Sequence, residues 1–164
     1  MSEMRGRRAG GGRMNDARGL LTVAAAVVLL LAGGCGGTGS ITEPWPPAGS
    51  TGEVEPNDAA PQNLGVLGTA DVVVAGTAGS ASDVDQFVIT LTQTTNLGVQ
   101  ISWSGSSDLD VGVLDPAGFM VNFQDTGANP EHCTLPALDP GIYTVRALPK
   151  FATAQKYVLT IGPR

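Results

Sequence analysis

Carboxylate and amide side chains are concentrated in the segment EVEPND, which begins at Glu53 of the 164-residue chain. Its oxygen-bearing side chains belong to Glu53, Glu55, Asn57 and Asp58. Because alternate residues of an extended chain point to the same side, we expect the side chains of residues 53, 55 and 57 to lie together. Pro56 stiffens the segment and lowers the entropy that is lost when it becomes ordered. The segment is therefore suited to binding a cation through oxygen ligands.

A second pair of carboxylates, Asp83 and Asp85, has the same two-residue spacing ahead of a predicted strand. Carboxylates held at contact distance repel one another by roughly 1 kcal/mol per pair in bulk water, and by more where water is scarce. A hard cation removes that repulsion, and Ca²⁺ accepts about 6–8 oxygen ligands in irregular geometry. The alternative interpretation is a solvated acidic lead-in to a domain, in which Asn57 and Asp58 cap a turn.

The elements that position these residues follow from apolar residues that alternate with polar ones. The segments QFVITLTQ (86–93) and LGVQISWS (97–104) each place apolar side chains on one face. Further predicted strands cover residues 72–77, 109–114, 119–124, 142–147 and 157–161. Turn-forming segments such as DPAG, from Asp115, separate them, and no segment after Cys35 has a sustained helical period. The pattern predicts an all-β fold, an antiparallel and jelly-roll-like β-sandwich.

Asp108 and Asp110 flank Leu109 in one of these predicted strands. The alternation predicts that Leu109 points inward and that both aspartates point outward. Charges on an edge strand discourage sheet-to-sheet pairing, so we interpret the two aspartates as edge protection and assign them no ligand role.

Several motifs occur in one order along residues 53–164. They are EVEPND, QNL from Gln62, DVDQF from Asp83, DLDV from Asp108, GIYTV from Gly141 and YVLTI from Tyr157. This ordered set resembles the bacterial pre-peptidase C-terminal domain, a β-sandwich related to the collagen-binding domains of collagenases. In those relatives, residues at the first and third motifs chelate calcium and pin the N-terminal segment to the sandwich. The resemblance implies a calcium site formed by Glu53, Glu55, Asn57, Asp58, Asp83 and Asp85.

The N-terminal part has the features of an export signal. Arginines precede an apolar run at residues 20–32, which is short for a membrane-spanning helix of about 20 residues but suits a signal peptide. Small residues then precede Cys35 and resemble a lipobox, which implies a lipoprotein signal peptide over residues 1–34 and lipid on Cys35. An ordinary signal peptide is the alternative. Residues 35–52, rich in Gly, Pro, Ser and Thr, predict a flexible lipid-anchored linker. By resemblance to enterobacterial sorting, Gly36 favours the outer membrane of the cell envelope.

Charge is distributed unevenly along the chain. The whole sequence carries −6, but nine Lys and Arg include five before Cys35, and fifteen Asp and Glu include only two there. Four basic and thirteen acidic residues remain, a net charge of −9. Such an acidic surface repels phosphate backbones, so we expect no nucleic-acid partner. With Cys35 lipidated, Cys133 has no disulfide partner, and we expect a buried, inert thiol.

Catalytic motifs are missing from the sequence. His132 and Cys133 are adjacent, so in a strand they point to opposite faces and cannot form a nucleophile–base pair. No GxSxG, zinc, P-loop or dinucleotide signature occurs. We therefore expect a non-catalytic lipoprotein, held to the membrane by its N-terminal lipid. Its domain, facing the periplasm or the exterior, would bind a protein or a polysaccharide or other polymer. The alternative is a structural or assembly subunit that supports secretion or a partner enzyme.

Overall fold

The computed structural model describes residues 44–150 and 154–164. The predicted signal peptide, the predicted lipid attachment at Cys35 and the first part of the predicted linker lie outside the described residues. Within those two ranges, no helix has the length and apolar character needed to span a membrane.

The described residues form ten β-strands. In chain order they are β1 (Thr51–Gly52), β2 (Gln62–Val66), β3 (Val72–Ala78), β4 (Asp85–Leu91), β5 (Thr95–Trp103), β6 (Leu109–Leu114), β7 (Met120–Gln124), β8 (Glu131–Leu138), β9 (Gly141–Pro149) and β10 (Gln155–Pro163).

The strands form two five-stranded sheets. Sheet A has the order β1-β3-β10-β5-β8, and sheet B has the order β2-β4-β9-β6-β7. Neighbouring strands are antiparallel except for β1 with β3 and β2 with β4, which are parallel. Without β1 and β2, four strands of each sheet remain in the arrangement of an eight-stranded jelly roll. The all-β sandwich predicted from the sequence is confirmed.

Alternation along each strand sends one row of side chains between the sheets. Phe87, Ile89 and Leu91 of β4 are all buried, as are the apolar residues that alternate along β5 from Leu97 to Trp103. The buried indole of Trp103 donates a hydrogen bond to the carbonyl oxygen of Ser107 at 2.6 Å. The inward faces predicted for these two strands are therefore confirmed, and they supply much of the apolar burial that stabilises the domain.

Two strands, β1 and β2, were not predicted, and β8 was predicted only as the start of an apolar strand at residues 132–135. β1 and β2 are short and lie at sheet edges, and β8 contains Pro136 and alternates apolar residues with exposed His132 and Thr134. The sequences of β1 and β2 carry little apolar pattern, so only their pairing with longer neighbours places them in the sheets. The seven predicted strands all occur, with ends that differ by no more than two residues.

One interpretation from the sequence is wrong. Leu109 points inward, as predicted, but β6 lies between β9 and β7 and is not an edge strand. Asp110 is only 1% exposed and forms an ion pair with Lys150, so it does not protect an edge. A sequence pattern of period two identifies the faces of a strand but not its neighbours in the sheet.

Four connections lie at one end of the sandwich: β3–β4, β5–β6, β7–β8 and β9–β10. At this end the first strand of each pair ends and the second begins. We call this the acidic end. It holds nine of the thirteen acidic residues that follow Cys35: Glu53, Glu55, Asp58, Asp83, Asp85, Asp108, Asp110, Asp125 and Glu131. Such a concentration of one charge favours cations over any other small ligand.

Candidate metal centre at the acidic end

The segment before β2 is attached to the edge of sheet A. We call residues 51–58 the strap. Its first two residues form β1, which pairs with β3, and the Glu53 amide donates to the Ala75 carbonyl at 3.0 Å. The Val54 amide donates to Oε1 of Gln62 at 2.8 Å, so β2 also holds the strap. These backbone bonds place the EVEPND side chains over the acidic end.

Glu53 is the residue of the strap with the most bonds to the sandwich. Its Oε1 accepts hydrogen bonds from the Tyr157 hydroxyl at 2.8 Å and from Nδ2 of Asn57 at 3.1 Å. Its Oε2 accepts from the Thr77 amide at 2.7 Å. The carboxylate therefore connects the strap to β3 and β10 at once.

The far end of the strap is held by sheet B. Asn57 is fully buried, and its amide donates to Oε2 of Glu55 at 2.8 Å. Nε2 of Gln86 donates to the carbonyl oxygen of Asp58, while Nε of Arg146 donates to Oε1 of Gln86 at 2.9 Å. The strap thus closes over the gap between the sheets and contacts both of them.

Asp83 and Asp85 approach the strap from the β3–β4 connection. The Gly79 amide donates to Oδ2 of Asp83, which fixes this loop. Asp85 opens β4 and is fully buried, and neither of its carboxylate oxygens has a hydrogen-bond partner among the described residues. Tyr157 lies close to Asp85, but its one hydroxyl proton is donated to Glu53. A buried carboxylate without a partner is costly, so this carboxylate is suited to binding a cation.

The charges of the cluster act strongly on one another. Burial raises the pKa of Asp85 from its ordinary value of 3.8 to about 9, and the negative charges of Glu53 and Asp83 add to the increase. Burial, together with the charges of Asp85 and Glu53, also raises the pKa of Tyr157 above its ordinary range. Without a cation, the cluster therefore holds a proton at neutral pH.

The structure brings together all six residues that the sequence identified. Carboxylate oxygens of Glu53, Glu55 and Asp85 lie within 4.8 Å of one another, and so do those of Asp58, Asp83 and Asp85. Asp85 belongs to both groups, and the buried Oδ1 of Asn57 has no hydrogen-bond partner within residues 44–150 and 154–164. A calcium ion would find hard oxygen donors from two chain segments here, so the donor set fits that ion.

Sequence analysis missed the residues that support the cluster. Tyr157 was recognised only as part of a strand, although its ring lies directly over Gly76 of β3. A Cβ atom at Gly76 would lie 2.3 Å from Cζ of Tyr157, so only glycine leaves room for the ring. An isolated glycine inside a strand is the one signal that pointed to such a close approach.

The two residues that the sequence excluded from catalysis lie as expected. In β8, Cys133 is buried and His132 is exposed on the opposite face. Burial raises the pKa of the Cys133 thiol to about 11, so the thiolate needed for nucleophilic attack is scarce at neutral pH. The buried position of this cysteine is confirmed.

Comparison with known proteins supports the family resemblance over part of the chain. Residues 83–148 match the family model of the bacterial pre-peptidase C-terminal domain. No curated protein matches the chain. The pre-peptidase C-terminal domain of a collagenase from Bacillus anthracis is similar in structure, with a TM-score of 0.52 and 10% identity. That similarity covers 61% of this chain and 92% of the collagenase domain and supports the same fold.

Two further solved structures are similar at lower scores. Both are PliG, a periplasmic inhibitor of g-type lysozyme. The Aeromonas hydrophila protein has a TM-score of 0.39 and 16% identity, covering 64% of this chain and 100% of its own. The Salmonella Typhimurium protein has a TM-score of 0.40 and 20% identity, covering 63% of this chain and 99% of its own.

Proposed function

We propose that this chain is a non-catalytic binding module of the cell envelope whose β-sandwich is stabilised by calcium. The observation that carries the proposal is the cluster that joins the strap to the β3–β4 connection. Its oxygen donors come from two segments, and Asp85 and Asn57 are fully buried in it, with oxygens that have no hydrogen-bond partner in the part of the chain that the structure describes.

The proposed ligands are the six residues predicted from the sequence. A bound Ca²⁺ would neutralise the carboxylates and hold the strap against both sheets. The cation would also release the proton that Asp85 otherwise retains, because it favours the ionised carboxylate. The benefit is structural, since the ion would hold the strap against the sandwich.

Calorimetric titration of the metal-free full-length chain with Ca²⁺ tests this proposal, together with thermal unfolding with and without the ion. We expect Ca²⁺ to bind and to raise the melting temperature, by about 5–10 °C if it adds one to two kcal/mol of stability. Asp85→Asn should reduce this gain. Asp139→Asn is the matched control, because Asp139 lies in the turn at the other end of the sandwich.

A Ca²⁺ response that is equal in wild type and Asp85→Asn would contradict the assignment of this cluster. A chain with no calorimetric heat and no change in melting temperature would contradict calcium binding itself.

Attachment to the membrane is the second part of the proposal. The apolar run and small residues before Cys35 support removal of residues 1–34 and lipid on the cysteine, with an outer-membrane location favoured by Gly36. Trp45 near the end of the linker lies under the Lys156 ammonium, which is 5.6 Å from its ring centre. Mass spectrometry of the native protein should find acylated Cys35 at the N-terminus. An N-terminus at Cys35 without acyl mass would refute lipidation.

The surface best suited to a partner is the free edge of sheet B. On and beside β7, large apolar side chains are exposed: Phe119 by 71%, Met120 by 45%, Val121 by 41% and Phe123 by 46%. An edge strand also offers unpaired backbone donors and acceptors. Both properties suit an extended polypeptide that adds a strand, so the partner we propose is a protein.

The test is a pull-down from solubilised envelope with wild type and a Phe119→Ser, Val121→Ser variant. The variant should lose the protein partner, whereas Ile142→Ser, which removes a side chain 57% exposed elsewhere on sheet B, should keep it. Equal retention by both variants would contradict binding at β7. A constitutive one-to-one complex would favour the assembly-subunit function, for which the same exposed edge is suited.

A further inference from the structure

A second group of carboxylates lies at the acidic end, apart from the strap. We call Asp108, Asp110, Asp125 and Glu131 the rim cluster. Oxygens of Asp108, Asp110 and Asp125 lie within 4.8 Å of one another. Glu131, at the start of β8, acts on both Asp108 and Asp110 through its charge. The cluster therefore joins the β5–β6 and β7–β8 connections.

The burial of this cluster separates it from an ordinary acidic surface. Asp110 and Glu131 are each only 1% exposed. Oδ1 of Asp110, Oε2 of Glu131 and Oδ1 of Asp108 are buried and have no hydrogen-bond partner among the described residues. Buried carboxylate oxygens are normally satisfied, because leaving one unpaired costs more than a hydrogen bond contributes. Asp108 and Asp110 belong to one group of neighbouring carboxylates, so their unpaired oxygens indicate a ligand that accepts electron pairs.

The surrounding loops hold these oxygens in a fixed frame. The Thr126 amide and hydroxyl both donate to Oε1 of Glu131, at 2.5 and 2.8 Å, which leaves Oε2 as the free oxygen. Nδ2 of Asn129 donates to the Trp103 carbonyl at 2.9 Å, and the Trp103 indole donates to Ser107, the residue before Asp108. A preorganised set of donors loses little entropy when it binds an ion.

One ammonium faces the four carboxylates. Nζ of Lys150 lies 3.0 Å from Oδ2 of Asp110 and 2.8 Å from Oδ2 of Asp125. These contacts leave Oδ1 of Asp110 unpaired and the cluster with an excess of negative charge. The Lys150 side chain is 36% exposed, so it has room to turn into solvent. Despite this ammonium, burial raises the pKa of Asp110 to about 6.

We propose that the rim cluster is a second divalent-cation site, in which Asp108, Asp110 and Asp125 supply carboxylate oxygens to Ca²⁺ and Glu131 adds negative charge beside them. The Lys150 ammonium competes for the same carboxylates and turns into solvent when the ion binds. Ca²⁺ suits the site because the donors are all oxygen and come from irregular loops. The site would tie the β5–β6 connection to the β7–β8 connection. The strap cluster, which consists of the six predicted calcium ligands from Glu53 to Asp85, would instead tie the strap to β4.

Counting bound ions in the full-length chain tests the proposal. Calorimetric titration with Ca²⁺ should show one binding event that depends on Asp125 and does not depend on Asp85. Asp125→Asn is a mild variant, since the Asp125 side chain is 49% exposed. It should lose this event, and Asp85→Asn should retain it. Asp139→Asn again serves as the control that changes neither site.

These variants separate this proposal from the proposed function. A wild-type titration that shows only the Asp125-dependent event would contradict the strap site and leave the rim site standing. A titration that is identical in wild type and Asp125→Asn would overturn the rim site, whatever the result at the strap.

Terbium luminescence gives an independent readout, because the Trp103 indole contacts the residue before Asp108. In a Trp45→Phe, Asp85→Asn background, which removes the proposed strap site, excitation of tryptophan should sensitise bound Tb³⁺, and Asp125→Asn should remove the signal. A signal that survives Asp125→Asn would contradict binding at the rim cluster.

Lys150→Met removes the competing ammonium. Since an ammonium at contact distance repels the incoming cation and competes for its ligands, the rim site of Lys150→Met should bind Ca²⁺ at least about tenfold more tightly. Unchanged affinity at the rim site would contradict the competition that we propose. A fall in the stability of the metal-free variant that Ca²⁺ reverses would support it.

Discussion

The hydroxyl of Tyr157 donates a hydrogen bond of 2.8 Å to Oε1 of Glu53, a residue 104 positions away in the sequence. Tyr157 belongs to β10 in the core of sheet A, and Glu53 belongs to the strap. The bond connects the packed interior to the segment that enters the domain from the linker. Both partners lie within the cluster for which we propose calcium binding, so the core and the proposed site are coupled.

Removal of this hydroxyl tests the coupling. Tyr157→Phe leaves the ring in the core but removes the donor, and the loss should destabilise the metal-free domain by about 1–2 kcal/mol in urea denaturation. Tyr143→Phe is the matched control, because the Tyr143 hydroxyl donates to the Asp139 carbonyl at 3.0 Å at the other end of the sandwich. Ca²⁺ binding should weaken in Tyr157→Phe only. Equal effects of both variants on Ca²⁺ affinity would argue against a role for Tyr157 in positioning Glu53.

The contact between Gly76 and the Tyr157 ring makes a second prediction. An alanine at position 76 would place its Cβ 2.3 Å from Cζ of Tyr157, so the ring must move away from Glu53. We expect Gly76→Ala to cost about 1–3 kcal/mol of stability, as overpacked cores do, and to weaken Ca²⁺ binding. Gly68→Ala, where a Cβ would meet no atom within 4 Å, should be nearly neutral in the same thermal unfolding experiment. Wild-type behaviour of Gly76→Ala would show that the ring position is not restricted in this way.

The raised pKa of Asp85 predicts how stability depends on pH when calcium is chelated. In the folded chain the pKa is about 9, above the ordinary value of 3.8 expected in the unfolded chain. The folded chain therefore binds the extra proton between these values. The contribution of Asp85 to stability is complete below its ordinary pKa of 3.8 and is lost as the pH rises toward its folded-state pKa of about 9.

Thermal unfolding across this pH range in the presence of a chelator should therefore show a melting temperature that decreases as the pH increases. Asp85→Asn should show a much smaller decrease, because the amide does not ionise. Excess Ca²⁺ should also reduce the decrease in the wild type, because the ion favours the ionised carboxylate. The same slope in wild type and Asp85→Asn would mean that another group carries the titration.

The buried thiol of Cys133 predicts slow chemical labelling. Its pKa is about 11 instead of 9.0, so the thiolate fraction at neutral pH is about 100-fold lower, and burial also restricts access. In a Cys35→Ser background, a thiol reagent should modify the folded chain at least about 100-fold more slowly than the urea-unfolded chain. Labelling of the folded chain at the unfolded rate would contradict a closed sandwich around β8.

Much of the fold could be predicted from the sequence because its signal is local. The covalent geometry of a strand sends alternate residues to opposite faces, so the positions of Phe87, Ile89 and Leu91 revealed a buried face without knowledge of any neighbour. The six residues of the strap cluster were also identified, from the two-residue spacing of carboxylates and from the family resemblance. The short strands β1 and β2 escaped prediction because two to five residues carry too little pattern.

Only the tertiary structure decided which distant residues meet. It placed Tyr157 beneath Glu53, brought Asp125 to Asp108 and Asp110, and put β6 inside sheet B, where Asp110 is buried and does not protect an edge. These relationships depend on the pairing of strands far apart in the chain, and that pairing is determined by the packing of the whole core. Alternation along one strand determines which side chains point inward, but it contains no information about which side chain of another strand they contact.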